Sequence, residues 1–183
     1  RVEAERENSR WCSLGDDDLD WSSARAFAVD LPIVTEACEP TRCVEELVPV
    51  AIEERRSGVW RVDFGRAFTG FTVARLRGPP RATLRLRFSE REEDEVTYGQ
   101  ESELVLDGEG TGEFRHRFNY AAARWLTIEG ALEAPRGEDV RGYLVRTSYA
   151  RSARFTCSDP VLQQVHDTVA WTYECLSLGG YTV

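Results

Sequence analysis

Ala82-Thr83-Leu84-Arg85-Leu86-Arg87-Phe88 decides the fold of this chain. Successive side chains of a strand point to opposite faces, so Ala82, Leu84, Leu86 and Phe88 share one side and Thr83, Arg85 and Arg87 the other. The stretch predicts a strand with one dry and one wet face. Just upstream, Gly78-Pro79-Pro80 predicts a turn, because proline cannot donate to a ladder and glycine frees the backbone. Before that turn, Trp60, Val62 and Phe64 alternate with Arg61 and Asp63, again predicting one wet face. Gly65 is expected to stop that run. Gly70 restarts it, with Phe71, Val73 and Arg75 alternating against Thr72, Ala74 and Leu76.

Downstream, strands are predicted at 102–106, 112–120, 124–129 and 140–149. Asp107-Gly108, Gly110, Gly130 and Pro135-Arg136-Gly137 supply the turn signals between them. The acidic stretch 90–95 reads as a solvent loop. Many short strands without intervening helices indicate a mainly β chain, an antiparallel β-sandwich of jelly-roll-like type rather than a βαβ fold. One C-terminal α-helix follows. Asp159 can cap it, and Pro160 stands first, where its missing N–H costs nothing. Val161, Val165, Val169, Thr172 and Leu176 recur at helical spacing, Leu162 and Trp171 broaden the stripe, and Gly179 and Gly180 end it. The expected division is an irregular segment over 1–46 (open to being the end of a preceding β module), a β-sandwich over 47–157, and a linker and helix over 158–183.

Composition narrows the function. The formal net charge of -9 over 183 residues opposes binding to nucleic acid. All 23 basic residues are Arg and Met is absent, a coding bias rather than a phosphate-binding adaptation, since the arginines are scattered among 32 acidic residues. No apolar run approaches the ~20 residues that span a bilayer, and the opening RVEAERENSR is polar throughout, unlike a signal peptide. Cys12, Cys38, Cys43, Cys157 and Cys175 are odd in number and lack metal-ligand spacing. One bridge would leave a thiol unpaired, and reduced, packed thiols lean towards the cytoplasm.

Neither metal nor cofactor is expected. Asp16, Asp17, Asp18 and Asp20 surround Leu19 but lack the Gly and distal Glu of an EF-hand loop, so a solvated turn is the better reading. Trp11, Trp21 and Tyr98 lie outside the clear strand cores and are the candidates for stacking on a sugar. The carboxylates Asp63, Glu90, Glu101, Glu113 and Glu129 stand in no catalytic context. No Gly-x-Ser-x-Gly elbow occurs. His116 on a strand, and His166 beside Asp167 on the helix but pointing elsewhere, read as surface or interface residues.

Four ordered stretches resemble the β-sandwich region that precedes the catalytic domain of bacterial α-L-rhamnosidases. They are Val62-Asp63-Phe64-Gly65 with Phe68, Gly70 and Phe71; Leu86-Arg87-Phe88-Ser89-Glu90; Phe114 to Phe118 with Tyr120, Arg124-Trp125-Leu126 and Glu129-Gly130; and Phe155-Thr156-Cys157-Ser158-Asp159 leading into Leu162. Ala121-Ala122-Ala123 departs from the polar-Gly-Phe run usual before that Arg. The resemblance implies a segment of a glycoside hydrolase that inverts at terminal rhamnose. It also implies that the acidic catalytic motifs lie beyond Val183, in a helical toroid whose first helix begins near Ser158 and is cut short here.

On that basis the chain alone is expected to be inactive and to support its own catalytic domain, shaping the substrate entrance. An autonomous carbohydrate-binding module is the alternative, and an enzyme in its own right the third reading. The implied partners are that catalytic domain, rhamnose-containing glycans and, through the terminal helix, a second copy of the chain.

Overall fold

The stretch that decides the fold forms β5 (Thr83–Ser89), with Leu84, Leu86 and Phe88 buried and Thr83 and Arg85 exposed. The structure is a computed structural model and describes residues 1–6, 22–179 and 181–182. Around β5 stand β1 (Val2–Glu3), β2 (Thr41–Leu47), β3 (Ala51–Arg56), β4 (Val59–Arg77), β6 (Glu101–Val105), β7 (Thr111–Arg115), β8 (Ala121–Glu129) and β9 (Val140–Thr147). The helix α1 (Pro160–Leu176) follows, then a small hairpin of β10 (Ser177–Leu178) and β11 (Tyr181–Thr182). This is the expected mainly β sandwich with one helix. Among the described residues all strand pairs are antiparallel except β1 with β6.

One strand belongs to both layers. The first half of β4 lies between β3 and β8, with Trp60 opposite Ile128 and Val62 opposite Leu126. Its second half lies between β9 and β7, with Ala74 opposite both Val140 and Phe114. One layer therefore runs β1-β6-β5-β8 to the start of β4, and the other runs from the end of β4 through β9 to β2. The run expected to stop at Gly65 instead continues as one strand of 19 residues. The break survives as a register shift against β8 between Asp63 and Phe68, where Gly65 takes φ +81 and residues 65–67 are exposed. Positive φ is cheap only for glycine. At Gly70 the reason for glycine is proximity: a Cβ would stand 1.9 Å from the Tyr143 carbonyl oxygen.

The core lies between the layers. Leu84, Leu86, Phe88, Leu126, Ile128 and Val62 face Ala74, Leu76, Phe114, Val140 and Leu144, and these form one cluster. His116, expected at the surface, belongs to this interior at 5% exposure. β7 ends at Arg115, short of the predicted 120, yet His116 still exchanges hydrogen bonds with Thr72. Its Nδ1 accepts from the Thr72 amide at 3.0 Å, and its ring packs 5.0 Å from Phe88 and 4.9 Å from Phe114. Burial holds its pKa down at about 4, so the imidazole is neutral.

The wet face expected for Arg61 and Asp63 is covered instead. Arg61 and Arg124 both lie 4.6 Å from the Trp125 ring, and Arg61 Nη2 donates to the carbonyls of Arg91 and Asp94. The loop at 90–95 is thus partly a lid on β4 rather than wholly a solvent loop. Strand bounds differ elsewhere too. β2 begins at Thr41, inside the stretch expected to be irregular, because as an edge strand it is exposed on both faces and shows no alternation. β8 begins three residues before the predicted 124, on alanines that give no period-two signal.

Candidate docking site on the terminal helix

α1 begins as predicted, with Asp159 Oδ1 accepting from the Val161 and Leu162 amides at 2.8 and 3.3 Å. Its seat is the exposed break in β4. Trp171 Nε1 donates to the Ala67 carbonyl at 2.6 Å, and the Arg66 guanidinium lies 3.5 Å from the Trp171 ring centre. Arg66 is itself paired with Glu45 of β2. Beside it, Glu174 is buried and holds Arg151 at 2.7 Å and Arg146 at 3.7 Å, while Tyr173 meets Tyr149 at 5.9 Å. Cys175 is packed on the same side, and burial pushes its thiol up to about 11. At the other end Gln163 Oε1 accepts from the Cys157 amide, and His166 stacks on Phe155 at 4.7 Å.

The seated face is not the apolar stripe. Val161, Leu162, Val165, Val169, Tyr173 and Leu176 all remain exposed. At ~100° per residue, Trp171 lies about 140° round the helix from the centre of that stripe, so counting it with the valines merged two faces. A shallow depression of ≈ 280 Å³ runs along Val161, Gln164, Val165, Thr168 and Val169. A second apolar element is distant in sequence. The segment 22–40 has neither helix nor strand, and Phe27, Val29, Leu31, Ile33 and Val34 in it are exposed, Ile33 fully. This arm and the linker to α1 leave the same end of the β2/β9 pair, where the Ser148 amide donates to the Pro40 carbonyl.

The candidates for sugar stacking separate. Trp11 and Trp21 lie outside the described residues, as do Asp16, Asp17, Asp18 and Asp20. Tyr98 is 92% exposed on the loop between β5 and β6, with φ +53. The candidate carboxylates are mostly claimed by arginines. Arg124 grips Asp63 with two bonds of 2.8 and 2.7 Å, and the Gly65 amide adds a third at 2.6 Å. Burial pushes the Asp63 carboxyl up, but these bonds outweigh it and hold the pKa below the ordinary value. Glu101 meets Arg85 and Arg87, Glu113 meets Arg75 and Arg115, and Glu129 meets Arg56 and Arg87. Glu90 is exposed. A general acid needs a raised pKa, whereas the carboxyls of Asp63, Asp107 and Asp167 are each held below their ordinary value.

His166 and Asp167, expected to point apart, are in contact: Nδ1 lies 3.1 Å from Asp167 Oδ1 because the ring reaches sideways round the helix. That contact, followed by a bond from Gln163 Nε2, holds the Asp167 carboxyl below its ordinary value. A groove of ≈ 610 Å³ is walled by Arg75, Arg77, Arg115 and Arg136 interleaved with Glu113 and Glu133, and no aromatic ring lines it. Among the described residues no group of three or more His, Cys, Asp or Glu converges as metal ligands, and no helix is long and apolar enough to cross a membrane. The residues that seat α1, notably Arg66, Ala67 and Glu174, carried no sequence signal, since Trp171 and Ala67 are 104 positions apart.

A mainly β sandwich with a bent strand shared between its layers and a helix fastened to the bend defines a concanavalin-like β domain. The sequence model of the bacterial alpha-L-rhamnosidase concanavalin-like domain matches residues 53–146. The chain belongs to that family. It is 27% identical over 179 residues to an alpha-L-rhamnosidase of Streptomyces avermitilis, covering 92% of this chain and 17% of that protein. To an alpha-L-rhamnosidase of Formosa agariphila it is 22% identical over 188 residues, covering 88% and 18%. The crystal structure of the Streptomyces avermitilis enzyme complexed with L-rhamnose matches with a TM-score of 0.84 at 27% identity, over 97% of this chain and 18% of that one. The chain thus spans less than a fifth of the length of the curated relatives it matches.

Proposed function

We propose that this chain is a non-catalytic β-sandwich portion of an α-L-rhamnosidase-like glycoside hydrolase, and that it supports the catalytic domain through α1. The observation that carries the reading is the two-faced helix. Trp171, Glu174 and Cys175 hold it to the sandwich while five aliphatic side chains, Val161, Leu162, Val165, Val169 and Leu176, stay exposed. Aliphatic surface in contiguous patches is costly in water and marks a polypeptide interface. The arm at 22–40 adds to that surface. An alignment that spans 97% of this chain and 18% of a rhamnosidase structure supports reading both elements as parts of a longer protein. On this reading the sandwich takes in β2 and runs from 41 to 157, and 158–183 is the linker and first helix of the catalytic domain.

The test uses Val165→Glu/Val169→Glu in this chain and in the longer enzyme. In the longer enzyme the double substitution should lower the melting temperature of the catalytic region and its rate on an aryl α-L-rhamnoside. In the chain alone it should leave the sandwich transition unchanged. Rhamnose release by the chain alone would overturn the reading, as would an unchanged longer enzyme.

A further inference from the structure

The layer built on the end of β4 carries on its outer face the groove of ≈ 610 Å³, a concavity of the size that takes a small molecule. Strand register brings its walls together. Arg75 stands opposite Glu113 and Arg77 opposite Thr111, while Val73 stands opposite Arg115. Residues opposite each other across an antiparallel pair, and residues two apart along a strand, share one face. Arg75, Arg77, Glu113 and Arg115 therefore point the same way, away from the buried Ala74, Leu76 and Phe114. A further wall, with Glu133 and Arg136, comes from the loop between β8 and β9. That loop is tied down: the Arg75 amide donates to the Asp139 carbonyl at 2.9 Å, and the Asp139 amide to the Arg136 carbonyl, also at 2.9 Å. At the β6–β7 turn, Asp107 accepts from the Glu109 and Thr111 amides at 3.0 and 2.8 Å and from the Thr111 hydroxyl at 2.7 Å. Hydrogen-bonded backbone thus fixes the frame of the groove.

The guanidinia in it are under-used. Glu113 Oε2 accepts from Arg75 at 3.0 Å, and its Oε1 accepts twice from Arg115, each at 3.4 Å. One carboxylate shared in this way leaves most N–H groups of the two guanidinia unspent. Asp107 spends its oxygens on its own turn. The Arg77 side chain has no hydrogen bond or ion pair among the described residues, and Arg136 has only a loose pairing with Glu138 at 3.7 Å, both exposed.

We propose that this groove binds a uronate, a sugar that carries a single carboxylate among its hydroxyls. Arg77 and Arg136, with the unspent edges of Arg75 and Arg115, offer the planar N–H forks that a carboxylate takes. Glu113 and Glu133 stand among them and can accept from hydroxyls. The same two carboxylates disfavour phosphate, whose second charge they repel. A neutral sugar lacks the charge, and the groove has no aromatic ring to hold its apolar face. Screening of exposed guanidinia, and a formal net charge of -9 on the chain, keep the affinity in the millimolar range.

The experiment is an NMR titration of the arginine Nε–Hε resonances of the chain with glucuronate, a methyl glucoside, inorganic phosphate and a hexa-aspartate peptide. Glucuronate should shift Arg75, Arg77 and Arg115 with millimolar affinity that weakens as salt is raised. The methyl glucoside should bind at least about tenfold more weakly. Arg77→Gln should weaken glucuronate about five- to tenfold at an unchanged melting temperature, because no described group leans on that side chain. Arg77→Lys, which keeps the charge and loses the fork, should recover part of the loss. Absence of shifts with glucuronate overturns the proposal, and so does equal binding of the glucoside or full binding by Arg77→Gln/Arg136→Gln. Phosphate held as tightly as glucuronate makes the groove a general anion site and overturns the uronate assignment. Tighter binding of the peptide overturns it in favour of an acidic polypeptide. None of these failures touches the docking role of α1, which is read from the melting of the longer enzyme.

Discussion

His116 should make the sandwich acid-labile well above the range in which its carboxylates titrate. Its ring is almost wholly enclosed, and burial holds its pKa at about 4, whereas an imidazole in an unfolded chain titrates near ~6.5. Between those values the unfolded state binds more protons than the folded one, so stability rises with pH. The contribution is complete above about pH 6.5, erodes below it, and is exhausted near pH 4. The gap between the two pKa values is worth roughly 3 kcal/mol, of which about 2 kcal/mol is lost by pH 5. That is a substantial part of the ~5–15 kcal/mol that holds a typical domain together. The geometry leads the same way, since a proton on Nδ1 would end its hydrogen bond from the Thr72 amide. Urea denaturation across this pH range measures the slope directly. His116→Asn is the control, because its amide oxygen can accept from Thr72 without titrating. The wild type should lose stability between about pH 6.5 and 4 and the variant should not. Equal slopes in the two proteins, or a flat wild type, would refute the reasoning. Asp63, Asp107 and Asp167 have lowered pKa values, so their stabilisation is lost only as pH falls below the ordinary carboxylate range.

Three further outcomes are expected. Trp171→Ala removes the bond to Ala67 and the plate under Arg66, at a cost of about 3 kcal/mol. Amide exchange should then quicken about a hundredfold in α1 while the sandwich melts as before, and a matching fall in the sandwich transition would place the helix in its core. Asp63→Asn should cost about 2 kcal/mol in urea titrations by ending the paired, charge-assisted hydrogen bonds from Arg124. Adding Arg124→Ala should cost little more if the pair acts as one unit, whereas additive losses would show that the two residues act separately. Gly70→Ala drives a Cβ against the Tyr143 carbonyl and should part β4 from β9, visible as lost amide protection along Val140–Thr147; normal protection would deny the close approach.

The alternation at 82–88 and the turns around it made the sandwich legible, because period two survives wherever one sheet face stays wet. It misled at Arg61 and Asp63. There the outer face is wet in pattern but roofed by a loop, and no local signal says that a guanidinium will lie against Trp125. His116 misled for a related reason. A histidine between two arginines looks solvent-facing, yet on a strand it shares the inward side with Phe114, and that parity was the available clue. The helix and its cap were readable from Asp159-Pro160. Its docked face was not, because the seat consists of a backbone carbonyl and two arginines from distant strands. The exposed aromatic rings were half legible. Tyr98 stood out as an exposed ring, but Phe118 and Tyr120 were absorbed into a strand predicted to run to 120, and only the end of β7 at Arg115 sets them free.

Because β4 threads both layers, the sandwich cannot fail by its layers sliding past each other. Any shear must first straighten or snap the exposed turn at Gly65-Arg66-Ala67. That turn is where α1 is fastened. A pull along the helix therefore reaches the sheet both at this break and at Arg146 of β9, and it divides between two sets of hydrogen bonds, one through β8 and one through β9. Under tension the helix should peel away as a unit before either layer loses a strand, leaving the domain to recoil intact.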